Sequence, residues 1–313
     1  MTTKERYRQL CETEGLYIPL FQQYWWMETV CYGKQWSVLL SEQANGFIDG
    51  ALPFLIGSKM GLHYVLQPEL TQYNGPWFHH HPLTGDPVEF EHRVAEDLLS
   101  QLEKLHLSVY LQRFSPEVTD WLPFYWHGYK QTTRYTYRFD PLPDVATLAT
   151  LADRGRKRQL ETARKAYTVD RQVGVEEFVA LHADYWERRC GRDNLSREFL
   201  RRVVTTAMTR GQALIYGLRD ADNQLVAARF VVYDDRCAYA LLSAMRPDTL
   251  RNSMTLLVWT LLEDLHGRTQ AFDFEGSMDQ GIEHFYRSFG ARQVPYFEVS
   301  RFANPLLSRL VSR

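Results

Sequence analysis

Phe272-Asp-Phe-Glu-Gly276 sets two carboxylates two residues apart, with a phenylalanine before each. On a strand this alternation puts Asp273 and Glu275 on one face and the rings on the other. Carboxylates facing a cleft at a strand end suit a general base or an anchor for an amine. Partial desolvation would raise the Glu275 pKa toward a useful range. Arg229 and Tyr233 share a strand face in Leu225-Val-Ala-Ala-Arg-Phe-Val-Val-Tyr233 and are candidates for lining the same cleft, while Arg246 is placed to reach an anionic ligand. The stretch 153–171 carries seven basic and three acidic side chains, with Arg156 and Lys157 at its start. It reads either as a solvated helix face or as an electropositive lip for a phosphorylated ligand. Tyr73 and Trp77, in Tyr73-Asn-Gly-Pro-Trp77, belong to aromatic groups that would form either an acceptor pocket across the domain boundary or first-domain core.

Other chemistries find little support. No Ser-His-Asp, Cys-His or phosphate-loop pattern is recognisable, and Cys11, Cys31, Cys190 and Cys237 form no paired-ligand spacing. His79-His80-His81 lacks spaced companion ligands and reads as a loop, so no metal site is expected. With 45% hydrophobic residues and a net charge of −2, the chain has material for a large core and no chain-wide nucleic-acid surface, and no DNA partner is expected. The polar start and the lack of an apolar run near the roughly 20 residues of a bilayer span lead to the expectation of a cytoplasmic protein without a transmembrane segment.

The elements that would position these residues come in two sets. The 313 residues suggest two domains. Residues 1–145 hold 11 basic and 17 acidic side chains, and the remainder holds 25 and 21, so an acidic first part precedes a basic second part. Phe139-Asp-Pro-Leu-Pro-Asp144 reads as a linker, giving domains at 1–142 and 143–313. Gly128 and Gly290 are 162 residues apart, as are Ser115 and Ser277. Each glycine follows a Phe-Tyr pair and precedes a basic residue, a glutamine and an aromatic strand. This repetition points to a duplicated α/β unit in which each glycine ends a helix in the left-handed conformation. The second unit reads ααβββαβαβ: helices near 175–189 and 196–209, three strands, the apolar helix Ser253–His266, the strand Ala271–Phe274, a helix near 279–289 and a last strand. The expected fold is α/β, each unit being a mixed, mostly antiparallel sheet flanked by helices.

That order resembles the GNAT acyltransferase fold. Phe272–Gly276 together with Gly281-Ile-Glu-His-Phe-Tyr-Arg-Ser-Phe-Gly290 resembles the end of FemAB-type proteins, which hold two GNAT-like units. Arg156-Lys-Arg with Ala163-Arg-Lys-Ala166 resembles their basic opening helix, and Tyr73–Trp77 and Trp121–Tyr137 are similar to a bacterial acetyltransferase-like branch. The resemblance implies acyl transfer to an amine of a small molecule or peptide, with acyl-CoA as co-substrate and aminoacyl-tRNA as the alternative donor. It implies Tyr286 as the acid for a leaving thiolate. It also implies a donor site in the loop before the central helix, formed by Arg246, Arg251, Asn252 and Ser253, although that loop lacks the family's glycine-rich signature. Asn252 or Ser253 would equally serve as an ordinary helix cap. Rival readings are a binding module that kept the fold without catalysis, a FemAB-type peptidoglycan-precursor ligase, and nucleic-acid binding through residues 154–171. The basic, amphipathic tail 305–313 would dock on its own domain.

Overall fold

Helix starts follow aspartates along the chain. In the computed structural model, Asp86, Asp144, Asp153 and Asp279 each accept a backbone N–H from the first turn of the helix that follows. The structure describes residues 1–79, 85–191, 195–250, 252–276, 278–304 and 306–307. His80, His81, Arg251, Ser277 and most of the tail 305–313 lie outside the described residues.

The described chain packs as two units, Met1–Arg134 with Pro295–Arg313, and Tyr135–Val294. Unit 1 contains α1 (Thr3–Cys11), α2 (Tyr24–Val30), β1 (Trp36–Glu42), β2 (Ile48–Lys59), β3 (Leu62–Leu66), β4 (Trp77–Phe78), α3 (Pro87–Glu103), β5 (Val109–Arg113) and α4 (Leu122–Trp126), and the chain leaves it along β6 (Lys130–Phe139). Unit 2 contains α5 (Val145–Leu151), α6 (Arg154–Ala166), β7 (Thr168–Asp170), α7 (Val175–Cys190), α8 (Arg197–Thr209), β8 (Ala213–Arg219), β9 (Leu225–Tyr233), β10 (Cys237–Met245), α9 (Ser253–Leu265), β11 (Ala271–Asp273) and α10 (Gln280–Arg287), and the chain returns to unit 1 along β12 (Arg292–Phe302).

Both sheets are mixed and mostly antiparallel, as expected. Unit 1 runs β1-β2-β3-β5-β12 and unit 2 runs β6-β11-β10-β9-β8-β7. Each contains one parallel pair, β3 with β5 and β10 with β11, joined through the long helices α3 and α9 respectively. The expected linker 139–144 is where β6 gives way to the Asp144 cap of α5. The last strand of each half packs with the other half's set. Arg138 and Phe139 of β6 pair with β11, and residues 298–302 of β12 pair with β5. The order expected for the second half omitted α5 and β7, whose seven and three residues are too short to show a period.

Each unit has its own core. In unit 1 the apolar face of α3 (Val94, Leu98, Leu102) packs with Phe54, Tyr110 and Phe124. In unit 2 α9 is buried along nearly its whole length against α6, β8 and β9. Gly128 and Gly290 both adopt positive φ, 77° and 92°, just after α4 and α10, which is the turn the repeat implied.

Candidate functional site

β11 ends at Asp273, so strict alternation does not carry to Glu275. The chain leaves the strand in a tight turn instead. Asp273, fully buried, accepts the Glu275 N–H at 2.8 Å and the Thr136 hydroxyl at 2.5 Å on Oδ1, and Arg138 Nε lies 3.6 Å from its Oδ2. Glu275 is held at φ 61°, a conformation that costs a branched or long side chain energy and that clusters at functional positions. Arg138 also donates to Cys237 Sγ at 3.4 Å, a thiol that burial pushes up to about 12 and keeps neutral.

Tyr286 stands opposite, on α10. Its ring packs on Phe274 at 5.0 Å and on Tyr137 at 6.4 Å between centroids, at the edge of the unit 2 core. Burial pushes its phenol above the ordinary range. The Arg229 guanidinium beside it pulls the other way, and the Glu275 and Asp273 carboxylates add to the rise. The structure thus brings together Tyr286, Glu275, Asp273 and Arg229, four residues singled out from the sequence.

Arg229 is the unusual member. It lies on the second strand of a three-stranded antiparallel stretch, between Tyr216 of β8 and Ser243 of β10, and is only 4% exposed. It makes no ion pair among the described residues; its guanidinium lies against the Tyr286 hydroxyl and makes a long 3.5 Å donation to the Ala240 carbonyl, and its Nε has no hydrogen-bond partner among the described residues. A buried cation without a counter-charge is costly to keep, which makes it a functional candidate. Tyr233, on the same strand, is half-buried against the core.

At the head of α9, Asn252 occupies the cap position without capping: its Nδ2 donates to the Gln159 carbonyl at 3.2 Å, and its backbone is helical. Ser253 is fully buried, and its hydroxyl has no partner among the described residues. Neither side chain caps this helix.

Arg156 turns inward. It sits at i, i+4 and i+7 with Leu160 and Ala163 on the buried face of α6. Its guanidinium donates to the Ser288 hydroxyl (2.6 and 2.9 Å), Thr255 Oγ1 (2.8 Å) and Gln159 Oε1 (2.6 Å), and it stacks on Phe285 and Phe289. These contacts tie α6, α9 and α10 together, and Lys157 beside it is half-buried. The spacing 156, 160, 163 was available in the sequence as a signal for the inward face.

Tyr73 and Trp77 lie in unit 1 and are buried. Tyr73 meets Phe21 and Tyr296 edge-on, and the Trp77 indole N–H donates to the Tyr17 carbonyl at 3.1 Å. His79, the described member of the triplet, stacks on Phe47 and approaches the Ile48 carbonyl. Sequence reasoning missed Thr136 and Arg138, which hold Asp273 across a strand pairing that no local pattern announces. No helix among the described residues is long and apolar enough to cross a membrane.

Residues 150–286 match the family model for the acetyltransferase (GNAT) domain. No curated protein sequence matches the chain. Three solved structures are similar along nearly the whole length. FemX has a TM-score of 0.69 at 12% identity, covering 100% of this chain and 99% of that one. L-PGS from Bacillus licheniformis has 0.59 at 12%, covering 98% and 94%. A tandem GNAT protein from the clavulanic acid biosynthesis pathway has 0.59 at 12%, covering 97% and 95%. At such identities the likeness is one of fold.

Proposed function

From its membership, through residues 150–286, of the GNAT acetyltransferase domain family, and from a FemX-like fold along its length, we infer that this chain is an acyltransferase that moves an acyl group from acyl-CoA to an amine by direct attack. The observation that carries the reading is the buried, unpaired Arg229 beside the Tyr286 hydroxyl, with Glu275 at the same place.

The amine nitrogen attacks the thioester carbonyl carbon, and the carbon–sulfur bond breaks as the tetrahedral intermediate collapses. Glu275 takes a proton from the nitrogen, leaving a neutral amide. Tyr286 gives its phenolic proton to the departing thiolate, and Arg229 offsets the phenolate charge until the proton is restored from Glu275 through solvent. A phenol kept protonated by burial is a competent acid at neutral pH. Asp273 does not touch the reacting atoms in this scheme. It positions Glu275 by holding its backbone N–H. The donor's pyrophosphate would lie at the head of α9, where the helix dipole favours an anion and neither the Asn252 nor the Ser253 side chain caps the first turn.

The test is thiol release from acetyl-CoA in the presence of a panel of primary amines, with Glu275→Gln alongside. Loss of the base should lower turnover by roughly 100-fold. Equal rates for the two proteins would remove Glu275 from the mechanism, and no release with any amine would overturn the acyl-CoA reading. A parallel arm with charged tRNA detects aminoacyl transfer, which would keep the same residues and change the donor.

A further inference from the structure

Lys4, the second residue of α1, sends its side chain to a carboxylate and an indole on two other elements of unit 1. Its Nζ lies 2.5 Å from Glu28 Oε1 on α2 and 4.0 Å from the ring centroid of Trp36, the first residue of β1. The same Glu28 oxygen accepts the Trp36 indole N–H at 2.8 Å, which fixes the ring with its face toward the ammonium. Tyr24 closes another side. Its ring meets Trp36 edge-on at 5.5 Å, and its centroid is 5.9 Å from Nζ. Burial would raise the Glu28 pKa, but the hydrogen bonds from Lys4 and Trp36 outweigh it and hold the carboxyl below its ordinary range, so it stays ionised. A carboxylate and two aromatic rings around one nitrogen make a cage suited to an ammonium.

The cage opens on a cavity of about 440 Å³, inside the roughly 300–1,000 Å³ of ligand pockets. Lys4, Glu28 and Trp36 line it together with Cys31, Tyr32 and Lys34. Glu28 is the one carboxylate among the lining residues, and Lys34 is neutralised from outside that set by Glu69 at 2.6 Å. Burial pushes the Cys31 thiol up to about 12, so it adds uncharged wall, and Tyr32 presents a ring that is 66% exposed. The recognition chemistry on offer is therefore Glu28 and the face of Trp36. Lys4 covers both, leaving the indole only 5% exposed. It is weakly held there, because its partner Glu28 is exposed and such ion pairs add little to stability. Arg8, one turn along α1, is taken by Glu12 instead.

We propose that this cage is a binding site for a primary alkylammonium ligand, and that Lys4 is a tethered stand-in which the ligand displaces. The ligand's ammonium takes the place of Nζ, donating to Glu28 and resting on Trp36, while its carbon chain extends into the cavity. Because Lys4 is joined to the fold, it competes at a fixed effective concentration. It lowers the ligand's apparent affinity in proportion to the time it fills the cage. The site shares no residue with the group around Tyr286, and the claim of binding holds whether or not the transfer chemistry does.

The experiment follows the Trp36 indole N–H resonance of the full chain, isotope-labelled at tryptophan, during titration with n-butylammonium chloride at fixed ionic strength. Trp36→Phe identifies the resonance by its absence. The parent should show a saturable shift, and Lys4→Ala, which empties the cage, should bind roughly tenfold tighter. Glu28→Gln should bind roughly tenfold more weakly than the parent. No saturable shift in the parent, or equal affinities for the parent and Lys4→Ala, would overturn the proposal. Should Lys4→Ala fail to fold, Lys4→Gln removes the charge, keeps most of the stem and carries the same expectation. Sodium butyrate is the control of opposite charge, and binding as tight as butylammonium would overturn the assignment to a cation. Tetramethylammonium cannot donate to Glu28 and should bind more weakly; the reverse order would overturn the assignment to a primary ammonium. A parent that binds butylammonium but releases no thiol from acetyl-CoA with any amine keeps this site and loses the transfer reading.

Discussion

The two halves share a plan and differ where chemistry would happen. Counting back four residues from each left-handed glycine, Gly290 leads to Tyr286 and Gly128 leads to Phe124. Matching the Phe-Tyr pairs Phe124-Tyr125 and Phe285-Tyr286 would set Tyr286 against Tyr125, but Tyr125 is 59% exposed and leans on Trp121, while Phe124 takes the buried place. It packs on Phe114 and Tyr129 much as Tyr286 packs on Phe274. At the same 162-residue offset, Asp273 corresponds to Leu111 and Glu275 to Arg113, which is ion-paired to Glu298 at 2.9 Å. One half kept the frame with inert side chains; the other carries a phenol, a carboxylate and a buried arginine in it. The duplication therefore does not imply two equivalent sites.

The sharpest way to break this contrast is to give unit 2 the side chain of unit 1. Tyr286→Phe keeps the packed ring and removes the acid, so turnover should fall by roughly 100-fold or more with little change in stability. Tyr125→Phe, at an exposed position, should leave turnover within about twofold. Equal losses in thiol release would mean that neither hydroxyl has a special role.

A smaller effect separates the two glycines. Alanine at either position must adopt a left-handed backbone, which costs about 1–2 kcal/mol. At Gly128 an added Cβ meets nothing within 4 Å, whereas at Gly290 it would lie 2.6 Å from the Leu151 Cβ and 3.0 Å from its carbonyl oxygen. Gly128→Ala should cost about 1 kcal/mol in denaturant unfolding and Gly290→Ala about 3 kcal/mol, the difference being steric overlap. Equal costs would show that α5 yields freely.

Much of this was legible in the sequence. The glycine turns and the buried α9 follow from local spacing and composition, Asp273, Glu275 and Arg229 stand out by residue type on their strands, and Tyr286 is marked by the family resemblance alone. What stayed hidden depends on pairing over long separations. Nothing near residue 295 says that β12 will join β5, and nothing near Asp273 names Thr136 and Arg138 as its partners. From sequence Arg156 reads as part of a solvated face or of an electropositive lip because its charge outweighs its register with Leu160, and the inward placement needs the hydroxyls of Thr255 and Ser288, about 100 and 132 residues away in sequence. The Glu275 turn was hidden because a non-glycine left-handed residue has no compositional mark.

The smallest expected effect lies in how each repeat fastens the end of the helix before its last strand. In unit 2 the cap residue of α10, Ser288, is fastened by Arg156, a cation held by neutral partners. In unit 1 the cap residue of α4 is His127, whose Nε2 and Nδ1 each lie 2.8 Å from a carboxylate, Glu96 and Glu103 of α3. Burial alone would lower the His127 pKa, but the two hydrogen-bonded carboxylates outweigh it and raise it above its ordinary 6.5. A folded-state pKa above the unfolded one means that the fold gains from proton binding. This stabilisation is complete below about pH 6.5 and fades as pH rises through the folded value. Both glutamates are nearly half exposed, so the gain should be about 1 kcal/mol or less. His127→Asn should therefore cost stability at pH 5.5 and little at pH 9, while the Arg156 fastening, carried by a group that does not titrate in this range, should show no such slope. Parallel pH dependences in the parent and the His127 variant would place the titration elsewhere and leave the two fastenings physically alike.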